Sequence, residues 1–100
     1  MAVKLLMNWD IKTGRDQEYF EFMVREWVPG LERLGLQPSD NWLTMYGRAP
    51  QIMMGVLARN LREMRQALDS DDLQALKKQL LDLVDNYDQK VVRAVGGFQM

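Results

Sequence analysis

The chain has 100 residues, 47% of them hydrophobic and 27% charged, with 13 basic against 14 acidic side chains for a net charge of -1. That length suits one domain around one core, and the charge balance supplies no basic footprint for a nucleic-acid backbone or an anionic membrane surface. Cysteine and histidine are both absent, which excludes disulfides, thiolate and histidine-dependent nucleophiles, and Cys- or His-ligated metal and haem sites.

Acid or base chemistry therefore falls to carboxyl, Lys or Tyr groups whose environment shifts their pKa. No apolar run approaches the roughly 18 to 20 residues that span a bilayer. The opening MAVKLLMNWD reaches a charge before a signal-peptide core could develop. A cytoplasmic protein is expected, with no membrane or nucleic-acid partner. No metal or other cofactor is expected either: the run DSDD, Asp69 to Asp72, falls where a helix cap is due and lacks the spacing of a calcium loop.

In chain order, VKLLMNWDI from Val3 to Ile11 alternates with period two and predicts a strand with one buried face. KTGRD makes a turn, with Asp16 placed to cap a helix and Glu18 in its first turn. Tyr19, Phe20, Met23, Val24, Trp27, Leu31 and Leu34 recur at helical spacing up to Gly35, and Pro29 should kink or break that helix after Val28. LGLQPSD reads as a loop and Asn41 to Tyr46 as a second strand. GRAP reads as a turn and Gln51 to Arg59 as a third strand, so these two form a hairpin. Asn60 caps a short helix, Leu61 to Leu68, and Asp69 or Ser70 caps a longer one. The apolar stripe of that longer helix is Leu73, Leu76, Leu80, Leu83, Val84, Tyr87 and Val91. Near Val91 the β-branched residues and the glycines that follow predict a short final strand.

Strand, helix, strand, strand, helix, strand is the ferredoxin-like βαββαβ plan: an α+β domain over residues 1–100, a four-stranded antiparallel sheet with the helices on one face. The other face is bare. Parity gives it Lys4, Leu6, Asn8, Asp10, Trp42, Thr44, Tyr46, Gln51, Met53, Leu57, Arg59 and Arg93. Its apolar members Leu6, Met53 and Leu57 predict that a second copy covers it. The RNA-recognition motif shares the element order, but QIMMGVLAR lacks the aromatic signature of its third strand.

In its opening strand, EYFEFMVREWVPGLERLG, the hairpin NWLTMYG with PQIMMGVL, and ALDSDDLQALKKQLLDLVDNYDQKVVRAV, the chain resembles the dimeric α/β-barrel superfamily. That superfamily includes cofactor-independent antibiotic-biosynthesis monooxygenases, stress-responsive barrel proteins and NIPSNAP-like domains. The resemblance implies a homodimer that joins two sheets as a barrel. It also implies a small aromatic or polyketide-like ligand in a cleft between sheet and helices, within a biosynthetic pathway. Haem-dependent relatives need a histidine ligand that this chain lacks.

Two functions remain open at this point: cofactor-free, monooxygenase-like oxidation of such a metabolite, and a non-catalytic dimer that binds a metabolite or partner. For the first, Asp10 or Tyr46 would take a proton from the substrate, and Arg59 or Arg93 would stabilise the anion. Asn8, Trp42 and Thr44 would hold the ligand. Against these stand plainer roles. Trp42 and Tyr46 suit a dimer interface, Asp10 a strand end, and the arginines ion pairs.

Overall fold

A computed structural model describes the backbone of residues 1–46 and 49–94, and the side chains of residues 1–39 and 51–94. Strand β1 spans Val3–Ile11 and buries every second residue from Val3 to Ile11, as its alternation requires. Helix α1 spans Asp16–Phe22, a π-helical segment spans Met23–Trp27, and α2 spans Val28–Arg33. Strands β2, Gln37–Tyr46, and β3, Ala49–Ala58, form the hairpin. Helices α3, Leu61–Asp69, and α4, Asp71–Leu81, lead to β4, Val84–Arg93.

The sheet order is β2-β3-β1-β4 and each neighbouring pair is antiparallel, so the α+β, ferredoxin-like arrangement is present. The core lies between the sheet and the helices, with Leu5, Met7, Trp9, Met54 and Val56 of the sheet against Trp27, Leu31, Met64 and Leu80.

Helix ends follow local chemistry. Asn60 accepts a hydrogen bond from the Glu63 N–H at 2.9 Å and so caps α3. Ser70, not Asp69, caps α4 by accepting from the Leu73 N–H at 3.2 Å, with Asp71 and Asp72 in the first turn where the helix dipole favours acids. Asp16 lies inside α1 rather than capping it, and Arg15 holds the cap position without a side-chain bond. At the end of α2 the Gly35 N–H reaches the Glu32 carbonyl and the Leu36 N–H reaches the Leu31 carbonyl. Gly35 has φ +83°, and this is the left-handed stop in which glycine costs least.

The disruption predicted at Pro29 takes the form of the π segment just ahead of it. Proline cannot donate to the carbonyl four residues earlier and its ring crowds that group. Opening the preceding turn to an i to i-5 pattern, in which the Val28 N–H bonds to the Met23 carbonyl, relieves both problems without ending the helix.

Three strand boundaries differ from the sequence reading. Strand β2 starts earlier, at Gln37, and keeps Pro38 because it is an edge strand with a register shift between Pro38 and Asp40. Pairing runs to Tyr46 opposite Ala49, so β3 starts before the Gln51 that the sequence suggests. The largest difference is β4. Leu83, Val84, Tyr87 and Val91 were expected on a helix, but α4 stops at Leu81 and the strand takes over at Val84.

Strand β4 does not alternate simply. Asn8 pairs with Asp88 and Asp10 with Asp85, which leaves Asn86 and Tyr87 together opposite Trp9. This is a β-bulge, with Asn86 at φ 57° and its Nδ2 donating to Asp10 Oδ2 at 2.7 Å. One extra residue reverses facing parity. Before the bulge Val84 meets the core; after it Tyr87, Gln89 and Val91 take that side, opposite Met7 and Leu5 in the case of the last two.

The bulge predicts an ordered pair of mutants. Asn86→Val forces a β-branched residue to positive φ and removes the bond to Asp10, and should cost about 2 kcal/mol in urea unfolding. Asn86→Gly keeps the backbone angle freely and should stay within about 1 kcal/mol of the unmodified chain. Equal losses in the two variants would mean that the bulge does not constrain β4.

Candidate functional site

Between the sheet and α4 lies a cleft of about 600 Å³. Leu5 and Met7 of β1 form its floor, and Trp27, Leu31, Leu68 and Leu73 close it from the helices. Most of its polar groups come from two elements: Gln74, Lys77 and Lys78 on α4, and Tyr87 and Gln89 on β4 beyond the bulge. Asp69, at the end of α3, adds a carboxylate to the lining. The spacing on α4 explains the lining, since residues 73, 74, 77, 78 and 81 fall on one face of a 3.6-residue helix.

Tyr87 is held in place by Trp9. The two rings are stacked, with centroids 5.8 Å apart and planes inclined by 6°. Trp9 is fully buried, lies edge-on to Trp27 at 6.1 Å, and donates its indole N–H to the Tyr19 hydroxyl at 3.0 Å. The Trp27 indole donates in turn to Met54 Sδ at 3.3 Å. The Tyr87 hydroxyl donates to Gln89 Oε1 at 2.6 Å, and Lys77 Nζ donates to the same oxygen at 3.4 Å while sitting 4.9 Å from the centre of the Tyr87 ring. Burial, and secondarily the charge of Asp88, raises the Tyr87 pKa well above its ordinary value, so the phenol keeps its proton.

Of the residues singled out from the sequence, Asn8, Asp10, Arg59 and Arg93 are not among the described residues that line this cleft. Asn8 and Asp10 belong to the parity of β1 that faces away from the helices. Backbone register sets Trp42, Met53, Asn8 and Asp88 in one row across the sheet, and Thr44, Gln51, Asp10 and Asp85 in the row after next. Asn8, Asp10, Trp42 and Thr44 are thus neighbours in register, while the side chains of Trp42, Thr44 and Tyr46 lie outside the described residues. Arg59 follows Ala58, which pairs with Val3, and is bound to Glu63 at 3.3 Å. Arg93 also pairs with Val3, on the helix-facing parity of β1. Seven residues of β1 separate Val3 from Asp10, roughly 24 Å at strand rise, so one chain does not bring these arginines to Asp10.

Lys77, Tyr87 and Gln89 were missed because Tyr87 was assigned to a helix and the candidate residues were sought on the bare face of the sheet. The available signal was the polar density of VDNYDQK, which suits an edge strand beside a cleft better than a buried helical stripe.

A second cleft of about 610 Å³ lies between the broken helix and β3, lined by apolar side chains such as Met23, Val28 and Ile52. Glu32 is at its edge, and no set of polar groups converges on it among the described residues.

No family model matches the chain, and no curated protein matches it significantly in sequence. Its fold is nevertheless shared with several solved structures. A NIPSNAP family protein from Agrobacterium tumefaciens superposes with a TM-score of 0.74 at 14% identity, over 97% of this chain and 96% of that one. A NIPSNAP domain protein from Burkholderia xenovorans gives 0.70 at 10% identity over 100% of both chains. SnoaB, a cofactor-independent oxygenase from Streptomyces nogalater, gives 0.69 at 12% identity over 99% of this chain and 98% of that one. At such identities the likeness is one of fold. Among the described residues no helix is long and apolar enough to cross a membrane.

The Trp9 cluster predicts a distinctive alkaline response. Burial pushes the Tyr19 pKa from 10.0 to about 12. Because the folded pKa is the higher, this contribution is complete below pH 10 and is lost as pH rises from about 10 to about 12, a change of roughly 2 to 3 kcal/mol. Tyr87 acts in the same direction. Tyr19→Phe should lower stability at pH 7 by about 1 to 3 kcal/mol by leaving the Trp9 N–H unpaired, and should make the alkaline fall shallower. Urea unfolding at pH 7, 10 and 11.5 measures both.

Proposed function

We propose that the protein binds a small aromatic or polyketide-like molecule in the cleft between the sheet and α4. The observation that carries this reading is the cleft itself: about 600 Å³, apolar on most sides, with Lys77, Tyr87 and Gln89 meeting at one end. Pockets that hold small ligands have this size and composition. The fold shared with a cofactor-independent oxygenase supports the finer reading, oxidation of such a molecule without metal or flavin in a biosynthetic pathway. A fold shared with NIPSNAP proteins equally supports a binding module without turnover.

A second copy of the chain would cover the bare face as a homodimer. Met53 is 42% exposed there, and Leu6 and Leu57 are half-buried beside it. Leaving such side chains in water forgoes roughly 1.5 to 3 kcal/mol each.

Titration with anthrone, a planar enolisable aromatic, tests the cleft. Saturable quenching of tryptophan emission with one site per chain is expected, through Trp27. Gln74→Trp, which places bulk in the cleft from an exposed helix position, should abolish the saturation while leaving the thermal midpoint within about 3 °C, as surface changes generally do. Saturation unaffected by that variant would place the ligand elsewhere. Oxygen uptake during the titration distinguishes an oxygenase from a binding module.

Static light scattering tests the assembly. A dimer is expected at micromolar concentration, and Leu57→Lys should shift it toward monomer by burying an unpaired charge. A monomer from the unmodified chain rejects the barrel.

A further inference from the structure

The polar end of the cleft is arranged to donate hydrogen bonds. Lys77 Nζ lies 3.4 Å from Gln89 Oε1, and an ammonium has no acceptor, so the amide oxygen must be the atom facing it. The Tyr87 hydroxyl engages the same oxygen at 2.6 Å. With Oε1 accepting twice, the Gln89 amide has its NH2 group left to offer. Lys77 spends one of three N–H groups on Gln89 and has no carboxylate partner among the described residues. Contact with the Tyr87 ring steadies the ammonium at the cleft.

The surrounding charges favour the same kind of ligand. Lys78 lines the cleft one residue on from Lys77, in the second half of α4. The carboxylate that lines it, Asp69, enters from the end of α3, ahead of the first turn of α4. Two cations and one anion therefore line the cleft, the cations from the second half of α4 and the anion from ahead of its first turn.

We propose that the cleft selects a hydrophobic carboxylate: a flat apolar body against Trp27, Leu31 and Leu73, and a carboxylate received by Lys77 Nζ and the Gln89 amide. This rests on the reading of the cleft as a ligand site and specifies what that ligand must carry. Charge-assisted bonds from an ammonium are the stronger class, and a planar carboxylate can accept from both donors at once.

The test compares 2-naphthoate with 2-naphthamide, which differ in charge at one group, by isothermal titration at pH 7 and low salt. Naphthoate should bind about tenfold more tightly, the scale of one charge-assisted bond in a half-open site. Lys77→Met keeps the aliphatic stem and should reduce that ratio to within about twofold by weakening naphthoate alone. Lys78→Met should retain most of the preference, because that side chain is exposed and lacks the contacts to Gln89 and Tyr87. Equal affinity for the two probes in the unmodified protein overturns the carboxylate assignment while leaving the cleft as a ligand site. A preference that survives Lys77→Met or Gln74→Trp overturns it too, since the carboxylate is then held elsewhere. Failure of both probes to bind counts against the carboxylate assignment; failure of anthrone as well counts against the cleft reading itself.

Discussion

The stack of Tyr87 on Trp9 joins the last strand to the centre of the molecule, and the shape of the helix-facing side depends on it. Trp9 sits on the central strand β1 and touches Tyr19 from α1, Trp27 from the π segment and Tyr87 from β4. Each aromatic pair is worth about 0.5 to 1.5 kcal/mol beyond the area it buries. The stack also requires that Tyr87 face the helices. Simple alternation from Val84 would turn Asn86 and Asp88 inward, and burying those groups without partners would cost more than the rings gain. The bulge at Asn86 resolves the conflict by resetting parity once, and Gln89 then follows Tyr87 to the same side. The polar end of the cleft is thus a consequence of one left-handed asparagine.

The first helix meets a comparable constraint. Trp27 must reach Trp9 and Met54, while Pro29, two residues later, prevents a regular α-helix through the same turn. The π segment satisfies both. It keeps backbone hydrogen bonding continuous into α2, in which Pro29 occupies a first-turn position where its missing N–H does no harm. Leu31, carried by α2, then closes the cleft beside Trp27. Two local departures from regular geometry, one in a helix and one in a strand, therefore set opposite walls of the same cavity.

These departures also mark where the sequence stops being readable. Strand β1 was legible because nothing interrupts its alternation, and the caps at Asn60 and Ser70 were legible because a cap depends on a few adjacent residues. The architecture followed from element order. Strand β4 was not legible, since a bulged strand that turns 84 and then 87 and 91 toward the helices produces spacings of three and four, the same spacings that a helix produces. The stripe Leu73, Leu76, Leu80 then ran into β4 without a visible break. Reading Tyr87 as helical removed it from the sheet, and the polar end of the cleft went with it. Parity grouped Asn8, Asp10, Arg59 and Arg93 on one face but carried no information about distance along the strands, so residues toward opposite ends of β1 were named for one reaction.

The sheet therefore has two faces of different character. On the helix side the hydrogen-bonding groups are few, partnered and concentrated where β4 passes α4. On the bare side Asn8 and Asp88 share one row and Asp10 and Asp85 the row after next, near Leu6 and Met53. Asp10 is already engaged by Asn86, which makes it part of the bulge that orients Tyr87 on the other face. A substitution at Asp10 would thus reach the cleft through β4, without Asp10 touching a ligand. Asp10, one of the two bases the sequence offered, is thereby placed to support the bulge.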